Sequence, residues 1–129
     1  MGAAGTKIKD DPYVLHALGE AASEIDAARH QLLSNVDRIW DLVDAGKDVD
    51  FETRATARRN QIRSAWRAVR AADEVFDRSG GNALRMDKPL QRFWRDAHAG
   101  RVHAANEPER AYLIFGNDAF GLPPQDTMV

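Results

Sequence analysis

Between Pro12 and Gly46, apolar residues recur every third or fourth position: Val14, Leu18, Ala21, Ile25, Ala28, Leu32, Val36, Ile39 and Val43. That spacing follows the 3.6-residue turn of an α-helix and sets these side chains on one stripe. The punctuation agrees with it. Asp11 can accept hydrogen bonds from the free N–H groups of a first turn, Pro12 suits the first helical position, and Gly46 is a natural C-terminal stop. Glu20, Glu24, Asp37 and Asp41 fall largely off the stripe.

A second helix is expected from near Asp50, with Phe51, Ala55, Ile62, Trp66, Val69, Ala72 and Phe76 on its apolar side. It should end at Ser79-Gly80-Gly81-Asn82, where the glycines allow backbone conformations that other residues resist. Its polar face carries Arg54, Arg58, Arg59, Arg63, Arg67 and Arg70. Pairing with the acidic face of the first helix, or plain solvation, explains such a stripe more economically than nucleic acid does. A third helix is expected from Pro89 to Asn106, holding Leu90, Phe93, Trp94 and Ala97. A short helical piece from Pro108 to Phe115 should precede Gly116.

No window alternates with the period of two that a strand requires, so the fold class expected is all-α. The arrangement is an antiparallel helical bundle with three main helices spanning 11–116, a loose lead-in at 1–10 and a tail at 117–129. The two long helices reach about 45–50 Å each at 1.5 Å per residue. Trp40, Trp66, Trp94 and Phe93 are too many large side chains to be buried in one copy, so a homo-oligomer, dimer or tetramer, is expected.

Composition narrows the function. The 129 residues make one domain with a modest core, and a formal net charge of -2 gives neither the basic excess of a nucleic-acid binder nor a polybasic membrane address. There is no cysteine, which removes disulfides, thiolate nucleophiles and Cys-based metal sites. No apolar run approaches the roughly 20 residues of a membrane helix. The expected setting is cytoplasmic.

The residues that could carry chemistry are few. His98 and His103 are five apart, not the four of a helical metal pair, so no metal site is expected. Ser34 and Ser64 have no adjacent base, and Gly80-Gly81 is not followed by a basic helix that could cradle phosphate. On a continuous third helix Asp96 and His103 would share a face, with Gly100 between them marking close approach by another helix or a flat ligand. Arg92 and Asp96, one turn apart, can pair. By residue type and spacing, His103 is more simply a hydrogen-bonded packing histidine than a catalytic one.

Two strings alter that balance: Ser79-Gly80-Gly81-Asn82-Ala83-Leu84, and Pro89-Leu90-Gln91-Arg92-Phe93-Trp94-Arg95-Asp96-Ala97-His98 continuing to His103-Ala104-Ala105-Asn106. Together with Ile25-Asp26-Ala27-Ala28 and Phe120-Gly121-Leu122-Pro123, they resemble the C-terminal helical domain of flavin-dependent monooxygenases built on the acyl-CoA dehydrogenase fold. The oxygenase components of two-component phenol hydroxylases are the most similar branch, in particular the type acting on 3-hydroxy-9,10-secoandrostatriene-dione. Acyl-CoA dehydrogenases carry a Tyr-Glu-Gly-Thr string with the catalytic glutamate after this region. Here Ala111-Tyr112-Leu113-Ile114-Phe115-Gly116 stands instead, which favours the monooxygenase branch.

The resemblance implies a four-helix bundle of which this chain holds most, an N-terminal helical domain and a β domain elsewhere, and reduced FMN or FAD supplied by a flavin reductase. It implies ortho-hydroxylation of a phenolic substrate. The family's active-site histidine on this segment corresponds to His103, where an imidazole can exchange a proton near neutral pH. Ser79, Gly80, Gly81 and Asn82 are implied as bordering the flavin or a subunit interface. A lone bundle cannot shield a reactive flavin from water, so no turnover is expected of this chain alone. Two alternatives stand beside this: a free-standing, self-associating helical remnant without flavin, and a coiled-coil adaptor using the arginine stripe.

Overall fold

The computed structural model describes residues 7–129; the first part of the expected lead-in, 1–6, lies outside the described residues. Four α-helices follow one another, α1 (Pro12–Asp44), α2 (Phe51–Asp77), α3 (Pro89–Arg101) and α4 (Pro108–Ala119), with short 3₁₀ turns at Ile8–Asp10, Gly81–Leu84 and Ala104–Asn106. Among the described residues there is no strand, as the patterning leads one to expect.

The long helices begin and end where their caps put them. Asp11 accepts from the Tyr13 amide at 2.9 Å with Pro12 at the first position, and Asp50 accepts from the Thr53 amide at 2.7 Å. Thr53, through its side chain first and its amide second, holds the Asp50 carboxyl below the usual carboxylate range. At the far end of α1, Gly46 takes φ +65° and the Lys47 amide reaches back to the Leu42 carbonyl at 2.9 Å, a Schellman-type closure that needs a residue without Cβ. The same device ends α4: Gly121 sits at φ +68° and the Leu122 amide bonds to the Asn117 carbonyl at 2.9 Å. α4 therefore passes through Gly116 to Ala119 rather than stopping at Phe115. Beyond it, Arg110 pairs with Asp126, and that partner lowers the Asp126 carboxyl to about 2.

α1 and α2 are antiparallel, because their contacts run in opposite order along the two helices. Arg38 Nη2 donates to Thr53 Oγ1 at 3.4 Å, Asn60 Nδ2 to Asn35 Oδ1 at 3.3 Å, and Ser64 Oγ to the Ala28 carbonyl at 3.0 Å. Further along, Arg67 Nε lies 3.4 Å from Glu24 Oε2, so one member of the arginine stripe does meet the acidic face of α1. The pairing is by charge only, since this buried Nε–H is not aligned to hydrogen-bond. α3 and α4 both rest on α2, while α1 has at most marginal contact with either. α2 is thus the middle rod, with α1 on one flank and the broken α3–α4 rod on another.

The core is built of small residues: Ala17, Ala21, Ala28, Ala55, Ala71 and Ala111 are buried beside Val69 and Ile114, and Ile62 is the largest side chain with 0% exposure. Alanines let α1 and α2 approach closely enough for the Ser64 hydroxyl to reach the α1 backbone. The stripe of larger apolar residues seen in the sequence is not the line along which α1 meets α2. Only its alanines, Ala21 and Ala28, are buried against α2, whereas Leu18, Ile25, Leu32, Val36 and Val43 stay exposed. The line of α1 that meets α2 runs instead through Ala17, Ala21, Glu24, Ala28, Asn35 and Arg38. Leu15, Leu33 and Trp40, the last 71% exposed, extend the apolar band away from α2. As expected, the large aromatics are not all buried, for Phe93 on α3 is 57% exposed as well.

Candidate functional site

α3 is fixed to α2 by one carboxylate. Asp73 Oδ1 accepts from Trp94 Nε1–H at 2.8 Å and from His98 Nε2 at 2.6 Å. Trp94 and His98 stand one helical turn apart, so both reach the same acceptor from one face of α3. Phe76 stacks on Trp94 with centroids 4.7 Å apart and planes at 16°, and the His98 ring lies 4.6 Å from Trp94. Partial burial would raise the Asp73 carboxyl, but the hydrogen bonds from His98 and Trp94 outweigh it and hold the group below its ordinary value. Because Asp73 is the acceptor, His98 carries a proton on Nε2. Residue spacing within one helix could not reveal this cluster, since its centre lies on another helix; the available signal was Trp94 and His98 at a four-residue interval opposite an acid of α2.

The segment after α3 departs from the sequence expectation. The helix ends at Arg101, and His103 is the residue that leads into the Ala104–Asn106 turn, with φ -63° and ψ 139°. Asp96 and His103 therefore do not share a helical face. The stop has a tertiary cause. Asn106 Nδ2 donates to the Gly100 carbonyl at 2.8 Å, taking one of the carbonyls left open at the helix end, and Trp66 Nε1–H of α2 donates to the Asn106 carbonyl at 3.2 Å. The Arg101 guanidinium lies 4.8 Å from the Trp66 ring centroid, closing the clasp from the other side. His103 itself is exposed, and its Nδ1 accepts from the Ala105 amide at 3.0 Å.

The rest of the expected site is more open. Gly100 has nothing within 4 Å of where a Cβ would stand, so nothing among the described residues makes the close approach its position suggested. Arg92 lies over Phe93, 5.4 Å from the ring centroid, and forms no ion pair with Asp96 among the described residues. In the turn before α3, Gly80 adopts φ +69° with open space around it, and Ser79 Oγ is committed to the Val75 carbonyl at 2.5 Å. Gly80, Gly81 and Asn82 are exposed, leaving room for a flat group without demanding one. Ser79–Asn82 precedes α3 and His103 follows it, so the 13-residue helix separates them, about 20 Å at 1.5 Å per residue. A single ring system cannot touch both ends.

Comparison with known proteins bears on this arrangement directly. The family model for the acyl-CoA dehydrogenase C-terminal domain matches residues 2–108. The chain belongs to that family. It is 59% identical over 126 residues, 98% of its length, to the flavin-dependent monooxygenase oxygenase subunit HsaA of Mycobacterium tuberculosis, covering 32% of that protein. The crystal structure of 3-HSA hydroxylase from Rhodococcus sp. RHA1 superposes with a TM-score of 0.91 at 55% identity, over 99% of this chain and 33% of the other. XiaF from Streptomyces sp., solved in complex with FADH2 and glycerol, superposes with a TM-score of 0.87 at 25% identity over 97% of this chain and 32% of the other. The chain thus spans about a third of the length of its relatives and corresponds to their C-terminal portion. The relatives are flavin-dependent oxygenase components, and no helix among the described residues is long and apolar enough to cross a membrane.

Proposed function

We propose that this chain is the C-terminal bundle portion of a reduced-flavin-dependent phenol ortho-hydroxylase, acting in the cytoplasm beside a flavin reductase. What carries the reading is identity of 59% sustained across 98% of the chain to a flavin-dependent oxygenase subunit. The flavin, FMN or FAD, supplies oxygen activation when bound. This chain's part is to form one wall of the flavin and substrate site, with His103 at the C-terminal end of α3 facing the phenol and Ser79, Gly80, Gly81 and Asn82 bordering the cofactor or a neighbouring subunit at the other end. The steroid-derived phenol of the resemblance is the substrate class proposed. The lead-in, bundle and tail divide at 11 and 116, with the last turn of α4 counted to the tail.

The test is a hybrid enzyme in which this chain replaces the corresponding third of the M. tuberculosis HsaA. With a flavin reductase it should hydroxylate the phenolic substrate, while this chain alone should not. A hybrid that folds and binds flavin yet gives no hydroxylated product would contradict the proposal.

The same reading gives α1 a role. Its outward band of Leu15, Leu33 and Trp40, continuous with Leu18, Ile25 and Leu32, is an apolar surface of the kind that single copies do not leave in water. An adjoining groove lined by Leu18, Ile25, Ala72, Val75 and Leu90 continues it toward α2. We expect the chain to be a dimer or tetramer by light scattering, and Leu33→Glu with Trp40→Glu together to drive it to monomer. A wild-type monomer at tens of micromolar would refute this role.

A further inference from the structure

We propose that the groove between α1 and the first half of α2 binds a small apolar carboxylate, its body lying on Leu32, Val36 and Ile39 and its charge held by Arg54 and Arg58. The site stands apart from the flavin reading above and holds whether or not the chain serves a monooxygenase.

Two helical lines face each other there. On α1, Leu32, Asn35, Val36 and Ile39 stand at i, i+3, i+4 and i+7; on α2, Arg54, Ala57, Arg58 and Gln61 repeat that spacing, so each set runs along one side of its helix. The antiparallel pairing that joins Arg38 to Thr53 and Asn35 to Asn60 lays the two lines side by side. Between them lies an open groove of about 380 Å³, with Val49 of the α1–α2 connection at its edge. From Leu32 to Ile39 it is about 10 Å long at 1.5 Å per residue. Ala57 keeps it open, having only a methyl group at the middle of the α2 line.

The two lines differ in chemistry. α1 supplies hydrocarbon, with Leu32 and Val36 exposed and Asn35 already committed to the Gln31 carbonyl and to Asn60. α2 supplies cations. Arg54 and Arg58 are one turn apart, a spacing at which like charges repel. Neither forms an ion pair among the described residues. Asp50, the acid whose carboxyl feels the Arg54 charge, is engaged by the Thr53 amide at 2.7 Å as the cap of α2. Arg58 reaches Gln61 Oε1 only at 3.4 Å, and the Gln61 amide nitrogen donates to nothing among the described residues.

An anion set between the two guanidinium groups removes their repulsion and receives charge-assisted hydrogen bonds, and a carboxylate matches the guanidinium fork. The apolar floor beside them calls for a hydrocarbon body on the same molecule. The volume falls at the low end of the roughly 300–1,000 Å³ usual for small-ligand sites. An acidic helix of another protein would need far more surface than a groove of this length offers.

The probe is octanoate, with octanol as its uncharged match, added to the ¹⁵N-labelled chain and followed by amide shifts and calorimetry. Octanoate should bind saturably below about 1 mM, shifting the amides of Val36, Ala57 and Gln61. Octanol, and octanoate on the Arg54→Gln/Arg58→Gln chain, should each bind at least about tenfold more weakly. Ala57→Leu, which fills the groove and leaves both charges, should abolish the binding while the helical circular dichroism is unchanged. Binding should persist in the Leu33→Glu/Trp40→Glu chain. No saturation, equal affinity for octanol, or indifference to the arginine substitutions would overturn the proposal. So would amides at the groove that shift with chain concentration and not with octanoate, since a second copy would then be the occupant.

Discussion

Asp73→Ala should unfasten α3 from α2 and lower the unfolding free energy by about 2 kcal/mol, after discounting for the solvent that reaches this half-exposed carboxylate. The substitution removes the common acceptor of Trp94 Nε1–H and His98 Nε2–H and leaves both donors without a protein partner. Phe76 remains stacked on Trp94, so the helix loosens and does not leave. Asp73→Asn should cost less, because an amide oxygen can still accept from one of the two rings.

The pH dependence follows from the direction of the shift. The Asp73 carboxyl is held below its ordinary value in the fold, and unfolding returns it to about 3.9. A depressed carboxylate contributes stability that is present above the unfolded pKa and is lost as pH falls through the folded one. The gap between wild type and Asp73→Ala should therefore be full at pH 6–7 and begin to close below about pH 4. Urea unfolding followed by tryptophan fluorescence across that range measures it. A gap that stays constant down to pH 3 would show that the hydrogen bonds to the carboxylate are not what fastens α3.

Much of this architecture can be read in the sequence, and the part that cannot has a physical reason. α1 and α2 are legible because their ends are chemical: Asp11, Pro12, Gly46 and Asp50 act on the backbone within a few residues of themselves. The face that α1 turns to α2 is not legible from hydrophobicity, because close packing selects small residues such as Ala17 and Ala28 and leaves Leu18, Ile25 and Leu32 exposed.

The end of α3 is hidden for a similar reason. The local pattern tolerates helix through Gly100 and on to Ala104, and the Asn106 turn that stops it is held by the Asn106 side chain on Gly100 together with Trp66, 40 residues earlier. Resemblance could single out His103 by its neighbours, yet it could not show that the residue lies past the helix with its Nδ1 engaged. The Ser79–Asn82 turn is legible in the sequence from its paired glycines, and Gly80 takes φ +69° in the structure. Its separation from His103 follows from the length of α3, and the contacts Asp73–Trp94 and Trp66–Arg101 show that helix laid antiparallel along α2.

His103→Ala should have the largest effect on activity of any substitution in this chain while costing little stability, since the exposed ring makes one hydrogen bond, to a neighbouring amide. The clasp around it, built from Asn106, Gly100 and Trp66, does not depend on the imidazole. A fold change and a functional change can therefore be told apart in one variant. Removing a positioned proton-handling or oxyanion-binding group costs about 10²–10³-fold in rate. The decisive measurement is single-turnover phenol hydroxylation by the HsaA hybrid carrying this chain, compared with its His103→Ala form at equal flavin occupancy. We predict that the hybrid is active and that the variant, folded and flavin-bound, is slower by at least about 100-fold. Equal rates for the two would contradict the account that this chain brings a working residue to the flavin site.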